Sequence, residues 1–146
     1  AGSATADPLV LVTGDLAYYH DMNGLLALGR CDVDATVVLI NNDGGGIFHV
    51  LPIEDHPTFE DQFRTPHGLD FSPTEALYAL EFERVVDRRG FRERFAESVR
   101  TDGTQVIEVQ FDAADSHAVR DRLAEAVAEA LAGTDISEPQ HGRGQQ

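Results

Sequence analysis

The chain has 146 residues, 26 of them acidic and 11 basic, for a formal charge of −15. That is the size of one domain, and a 42% hydrophobic content is enough to bury a core. The negative field argues against nucleic acid and anionic lipid as partners, no apolar run reaches the roughly 20 residues of a membrane span, and a single cysteine, Cys31, excludes an internal disulfide or a cysteine zinc site. Residues 1–7 carry no initiator Met and none of the basic and long apolar regions of a signal peptide. They are expected to be the tail of an upstream helix or linker in a longer chain, with a cytoplasmic location as the default. Pro8–Thr13 reads as a buried strand, bounded by Pro and Gly. Between Leu16 and Arg30 the residues Leu16, Tyr19, Met22, Leu25, Leu26 and Leu28 fall near helical spacing, with Asn23-Gly24 as a break. Cys31, at the end of that stretch, is expected as a half-buried small hydrophobe. Ala35–Ile40 is a second, continuously apolar strand, as a parallel strand covered on both faces would be.

A glycine-rich loop, Asp43–Gly46, follows, then an irregular stretch, Pro52–Phe71, of a length that is usually functional or mobile. Ser72-Pro73-Thr74-Glu75 predicts a helix start with Ser72 as N-cap, running to about Leu80. Phe82–Val86 predicts a short strand, Phe91–Val99 a helix, and Thr104–Phe111 a strand centred on Val106, Ile107 and Val109. Ser116–Leu131 is an amphipathic helix with Val119, Leu123, Val127 and Leu131 at intervals of four. Residues 133–146 are polar and are expected to be a disordered tail. The alternation of strands and helices predicts an α/β domain over residues 8–132, a parallel sheet with helices on both faces. Acidity without a single lysine resembles proteins of salt-loving organisms, where high ionic strength screens self-repulsion.

The chemistry concentrates at two strand ends. The first strand ends in Gly14-Asp15-Leu16 and the second in Asn41-Asn42-Asp43-Gly44-Gly45-Gly46, so an acid and an amide face the same edge of one β-α-β unit. That edge is where open α/β sheets bind ligands. Asp and Asn oxygens suit Mg²⁺, with the Gly44 carbonyl as a third donor and diphosphate oxygens and water completing the shell. Gly45 and Gly46 permit close approach of backbone to phosphate, and the helix after Gly14 offers its first N–H groups. Taken singly, Asp15 reads as a helix cap and Asn42 as a turn residue; their pairing at strand ends favours a cation–diphosphate cradle. The histidines, His20, His49, His56, His67, His117 and His141, share no ligand spacing for a transition metal. His20 and His49 are candidates to line the pocket and His67 to close over it. Asp21 is expected to bond internally. Arg64 is either a substrate-carboxylate contact or a solvated side chain, and the Arg84–Arg94 cluster is a partner for surrounding acids.

At these residues the chain resembles the thiamine-diphosphate enzymes, and more narrowly the MenD family, the menaquinone-pathway synthases of 2-succinyl-5-enolpyruvyl-6-hydroxy-3-cyclohexene-1-carboxylate. Three runs carry the likeness: Gly14-Asp15-Leu16 with His20-Asp21-Met22-Asn23-Gly24, then Ile40 to Phe48, then Thr65-Pro66-His67-Gly68-Leu69-Asp70-Phe71. The resemblance covers about Pro8 to Leu131. It implies the carboxy-terminal, diphosphate-binding domain of an enzyme that decarboxylates 2-oxoglutarate and adds the succinyl semialdehyde carbanion to isochorismate. It further implies thiamine diphosphate and Mg²⁺, or Mn²⁺, as cofactors, and a homo-oligomer, dimer or tetramer, whose active site lies between subunits. By the same resemblance Asp15, Asn42 and Gly44 ligate the metal. Gly14, Leu16, Ala17 and Gly45 approach the diphosphate, and Ile47 and Phe48 wall the thiazolium. The glutamate that activates the cofactor, and most substrate-holding basic residues, belong to an upstream domain, so this part alone should not catalyse. Ala17 stands where related sequences often place a hydroxyl. Two alternatives stay open. One is another thiamine-diphosphate enzyme, a decarboxylase or an acetolactate-synthase-like one, against which the Thr65–Phe71 run argues; the other is a non-catalytic cofactor-binding module.

Overall fold

The computed structural model describes residues 7–132; the helix tail or linker expected at the amino terminus, apart from Asp7, and the tail expected over 133–146 lie outside the described residues. Four strands form one parallel sheet in the order β1 (Leu9–Gly14), β2 (Ala35–Asn41), β4 (Thr104–Gln110), β3 (Glu81–Val85). The helices are α1 (Asp15–Asp21), α2 (Leu25–Arg30), α3 (Thr74–Tyr78), α4 (Arg88–Ser98) and α5 (Ala113–Ala132). The break expected at Asn23-Gly24 is a 3₁₀ turn, Met22–Gly24, between α1 and α2.

The register aligns Leu11, Val37, Val106 and Phe82 across the sheet on one face. There Tyr18 of α1, Leu25 of α2 and Tyr78 of α3 pack with Val37, Leu39, Phe71, Leu80 and Val106 into the main core. Successive strand residues point to opposite faces, so Thr36 looks the other way. Its hydroxyl donates to Ser98 of α4 at 3.0 Å, and Val38 and Ile107 are buried on that side. Helices therefore cover both faces at β2 and β4, as their apolar runs predict, whereas β1, expected to be buried, is an edge strand with Leu11 53% and Val12 65% exposed.

Three local expectations are corrected. Ser72 does not cap α3: its hydroxyl donates to Asp70 Oδ2 at 2.8 Å, and the helix starts later, at Thr74, with no side-chain cap. The Glu75 N–H, which a Ser72 cap would take, donates to the Ser72 backbone carbonyl at 3.1 Å instead. Cys31 is exposed rather than half-buried, because α2 ends at Arg30 and the chain turns through Asp32 at φ 47°. The last helix starts at Ala113, capped by Asp112 Oδ1, which accepts the N–H groups of Ala114 and Asp115 at 2.8 and 3.1 Å. Only Ala113 of α5 is buried, and the stripe Val119, Leu123, Val127 and Leu131 is exposed.

Candidate functional site

The parallel sheet delivers Gly14 and Asn41 in adjacent strands to one edge, so Asp15 and Asn42 meet there. Asp15 is 3% exposed. Its Oδ1 accepts the Leu16 N–H at 2.7 Å; its Oδ2 accepts the Gly44 N–H at 2.8 Å and faces His67 Nε2 at 3.1 Å. Gly44 reaches this position at φ +125°, and a Cβ there would strike the Arg64 carbonyl. Only glycine fits.

The end of the Asn42 side chain lies 3.3 Å from Asp15 Oδ2 and 3.0 Å from the Gly44 carbonyl oxygen. As oriented, that end is the amide oxygen, so three oxygens converge with no proton between them. Two arrangements relieve the repulsion: turning the amide so that its NH₂ donates to both oxygens, or a cation at their centre. Which end of an amide points where is an assignment, but the donor set is not. One carboxylate, one amide and one carbonyl form a hard, all-oxygen group that fits Mg²⁺ or Mn²⁺.

The candidate phosphate contacts divide. Gly14 makes the turn from β1 into α1, and Leu16 and Ala17 lie in the first turn of α1, where N–H groups have no partner within the helix. The Leu16 N–H is taken by Asp15, and Ala17 also lines an apolar groove of about 340 Å³ with Leu11, Tyr18 and Met22. The Gly45 N–H donates to the Arg64 carbonyl at 2.6 Å, so a phosphate there would have to replace that carbonyl. Ile47 is 69% exposed, whereas the Phe48 ring meets Phe63 edge-on at 5.9 Å. Beside the site a cleft of about 510 Å³ opens at the ends of β2 and β4, lined by Asn41, Asp43, Gly68, Leu69, Gln110, Phe111 and Asp112.

Asp43 and Glu108 are the parts that sequence reasoning passed over. Asp43, at φ 60°, accepts the N–H groups of His67 and Gly68 on Oδ1 at 3.1 and 2.7 Å, which clips the 65–71 segment to the ligand loop. Glu108 is fully buried at the centre of the sheet. It accepts Asn41 Nδ2 at 2.7 Å and pairs with Arg84, which also reaches Asp70 at 3.0 Å. Its bond to Arg84 holds that guanidinium still more firmly protonated. An acid in the apolar strand Thr104–Gln110 was the available signal.

The other candidates are placed as follows. His67 Nε2 lies 3.1 Å from Asp15 Oδ2. His20 points to solvent beside Asp21, so Asp21 bonds at the surface rather than internally. His49 turns away into a cluster: its Nδ1 meets Glu54 at 2.7 Å, its ring stacks on His117 at 5.7 Å, and His117 lies 3.3 Å from Asp121. Arg64 pairs with Glu60 at 3.1 Å. The arginine cluster behaves as expected, with Arg94 bound to Glu81, Glu83 and Glu97. No helix among the described residues is long and apolar enough to cross a membrane.

Residues 1–109 match the family model described as "Thiamine pyrophosphate enzyme, C-terminal TPP binding domain". A 2-succinyl-5-enolpyruvyl-6-hydroxy-3-cyclohexene-1-carboxylate synthase from Haloarcula marismortui is 88% identical over 133 residues, 91% of this chain and 22% of that protein. The protein of the same name from Natronomonas pharaonis is 64% identical over 131 residues, 90% of this chain and 22% of its own length. The chain thus spans about a fifth of these relatives. Among solved structures, a thiamine diphosphate-dependent 4-hydroxybenzoylformate decarboxylase from Rhodococcus jostii superposes with a TM-score of 0.64 at 20% identity, over 77% of this chain and 21% of that one. The last likeness bears on the fold alone.

Proposed function

This chain belongs to the thiamine pyrophosphate enzyme family, as its C-terminal TPP-binding domain, and on that premise we propose that it is the cofactor-binding part of a synthase. The synthase decarboxylates 2-oxoglutarate and transfers the succinyl semialdehyde unit to isochorismate. The observation that carries the cofactor reading is the meeting of the Asp15 carboxylate, the end of the Asn42 side-chain amide and the Gly44 carbonyl at one strand edge. The high identity to synthases of that name supports the choice of substrates.

In this reading Asp15, Asn42 and Gly44 hold Mg²⁺, with Mn²⁺ as a replacement of like chemistry. Gly14, Leu16, Ala17 and Gly45 bring backbone to the diphosphate, and Ile47 and Phe48 form the apolar wall beside the thiazolium. Thiamine diphosphate, when bound, supplies the carbanion chemistry; the chain binds and orients it. Asp15 Oδ2 is the oxygen that would turn to the cation, because it is the one that faces the end of the Asn42 side chain, at 3.3 Å. The low exposure of Asp15 keeps water from competing there. The activating glutamate and the residues that hold the substrate carboxylates come from elsewhere in the intact, oligomeric enzyme, which we place in the cytoplasm of a salt-adapted cell.

The test uses the intact polypeptide in high salt with Mg²⁺, thiamine diphosphate, 2-oxoglutarate and isochorismate. The expected product has the mass of isochorismate plus a succinyl semialdehyde unit, and Asp15→Ala abolishes it. Decarboxylation of 2-oxoglutarate without adduct would remove the acceptor; full activity of Asp15→Ala would remove the site.

A further inference from the structure

We propose that His67 is a positioning residue for the cation: its imidazole holds the Asp15 carboxylate in the orientation that binds metal. The inference rests on the reading of Asp15 as a cation ligand and assigns a role to a residue 52 positions away.

The ring's donor and acceptor follow from its neighbours. The Leu69 N–H donates to His67 Nδ1 at 2.9 Å, which makes Nδ1 the accepting nitrogen and leaves Nε2 as the N–H donor. That N–H points at Asp15 Oδ2, 3.1 Å away. The ring is largely buried and meets Phe71 edge-on at 5.6 Å, which restricts its tilt. The backbone is restricted as well. His67 and Gly68 both donate to Asp43 Oδ1, and Asp43 lies between the candidate ligands Asn42 and Gly44. Farther along, Asp70 binds Arg84, Arg84 binds buried Glu108, and Glu108 holds Asn41. The 65–71 segment is therefore fastened at both ends to the loop that carries the ligands, and its one inward polar group ends on Asp15.

A carboxylate oxygen can accept this N–H and the Gly44 N–H while offering its remaining electron density to a cation. Such outer hydrogen bonds fix the direction of a ligating carboxylate, and losing one typically weakens metal binding by about 10–100-fold.

The experiment titrates Mn²⁺ into the intact polypeptide and follows the free-ion signal by electron paramagnetic resonance, with the circular dichroism spectrum recorded for each variant. His67→Ala is expected to weaken Mn²⁺ binding by about 10–100-fold. His67→Gln, whose amide N–H reaches about as far as Nε2, is expected to recover much of it. Asp15→Asn is expected to weaken binding more than either. If Asp15→Asn loses Mn²⁺ while His67→Ala binds as tightly as the parent or tighter, the positioning role falls and the cation site stands. Equal losses in His67→Ala and His67→Gln would also overturn it, since a specific N–H would then not matter. If Asp15→Asn binds like the parent, the cation reading itself fails.

Discussion

Asn41 donates its side-chain N–H to Glu108 at 2.7 Å, and Glu108 has no exposed surface. The residue before candidate ligand Asn42 is thus tied to a buried charge whose counterion, Arg84, comes from the neighbouring strand. Removing one partner of a buried pair is more damaging than the pair is stabilising. Glu108→Ala should open the β2–β4–β3 contact by about 2–3 kcal/mol, less than for a fully buried pair because Arg84 retains solvent contact. Hydrogen exchange in β4 measures it; exchange unchanged from the parent would contradict the network.

Gly46 and Gly68 separate packing from backbone strain. A Cβ on Gly46 would collide with the Asn42 amide and come within 3.3 Å of Ala113 Cβ. One on Gly68 meets nothing within 4 Å, although its φ is +60°. Gly46→Ala should displace the amide oxygen and weaken Mn²⁺ binding at least tenfold. Gly68→Ala should cost about 1 kcal/mol of local stability and change Mn²⁺ affinity less. Equal Mn²⁺ affinities in the two variants would show that Asn42 is not a ligand.

The His49–Glu54 contact predicts an acid-sensitive attachment of α5. The hydrogen bond from His49 holds the Glu54 carboxyl below its ordinary value of 4.5. A depressed carboxyl contributes stability above that value, and the contribution is lost as pH falls through the folded-state value. Backbone exchange in Gly46–Val50 and the first turns of α5, corrected for intrinsic rate, should therefore accelerate below pH 4.5. Glu54→Gln should exchange faster at neutral pH and lose that acid step.

The apolar stripe Leu123, Val127 and Leu131 lies exposed on α5, and Leu11 and Val12 are exposed on edge strand β1. Surfaces of this kind associate when nothing covers them. The 146-residue chain expressed alone should show a concentration-dependent sedimentation coefficient, reduced by Leu123→Gln with Val127→Gln. A concentration-independent monomer would show that these faces are not adhesive.

The sheet was legible because its strands, Leu9–Gly14, Ala35–Asn41 and Thr104–Gln110, are short apolar runs rich in β-branched residues, and their length and flanking turn residues mark them as strands without tertiary information. The pair Asp15 and Asn42 was legible because strand ends fix position: one β-α-β traverse puts them side by side. The clasp from His67 was visible only as a candidate closure, since its partner is 52 residues away and nothing local aims the ring. Ser72 misled because the Glu75 N–H that its capping pattern would take bonds the Ser72 carbonyl, while the hydroxyl donates to Asp70. Glu108 escaped because an acid inside an apolar strand says that a partner exists but not which one; Arg84 and Asn41 come from two other strands.

The most direct test of the site is a calorimetric titration of thiamine diphosphate into the intact polypeptide, with Mg²⁺ and after its removal by chelation, for the parent and for Asp15→Asn. The account predicts saturable binding that requires Mg²⁺ and weakens by about 100-fold in Asp15→Asn, the scale of losing a charged contact of ~3 kcal/mol. Binding of equal strength in the chelated protein, or in Asp15→Asn, would contradict it.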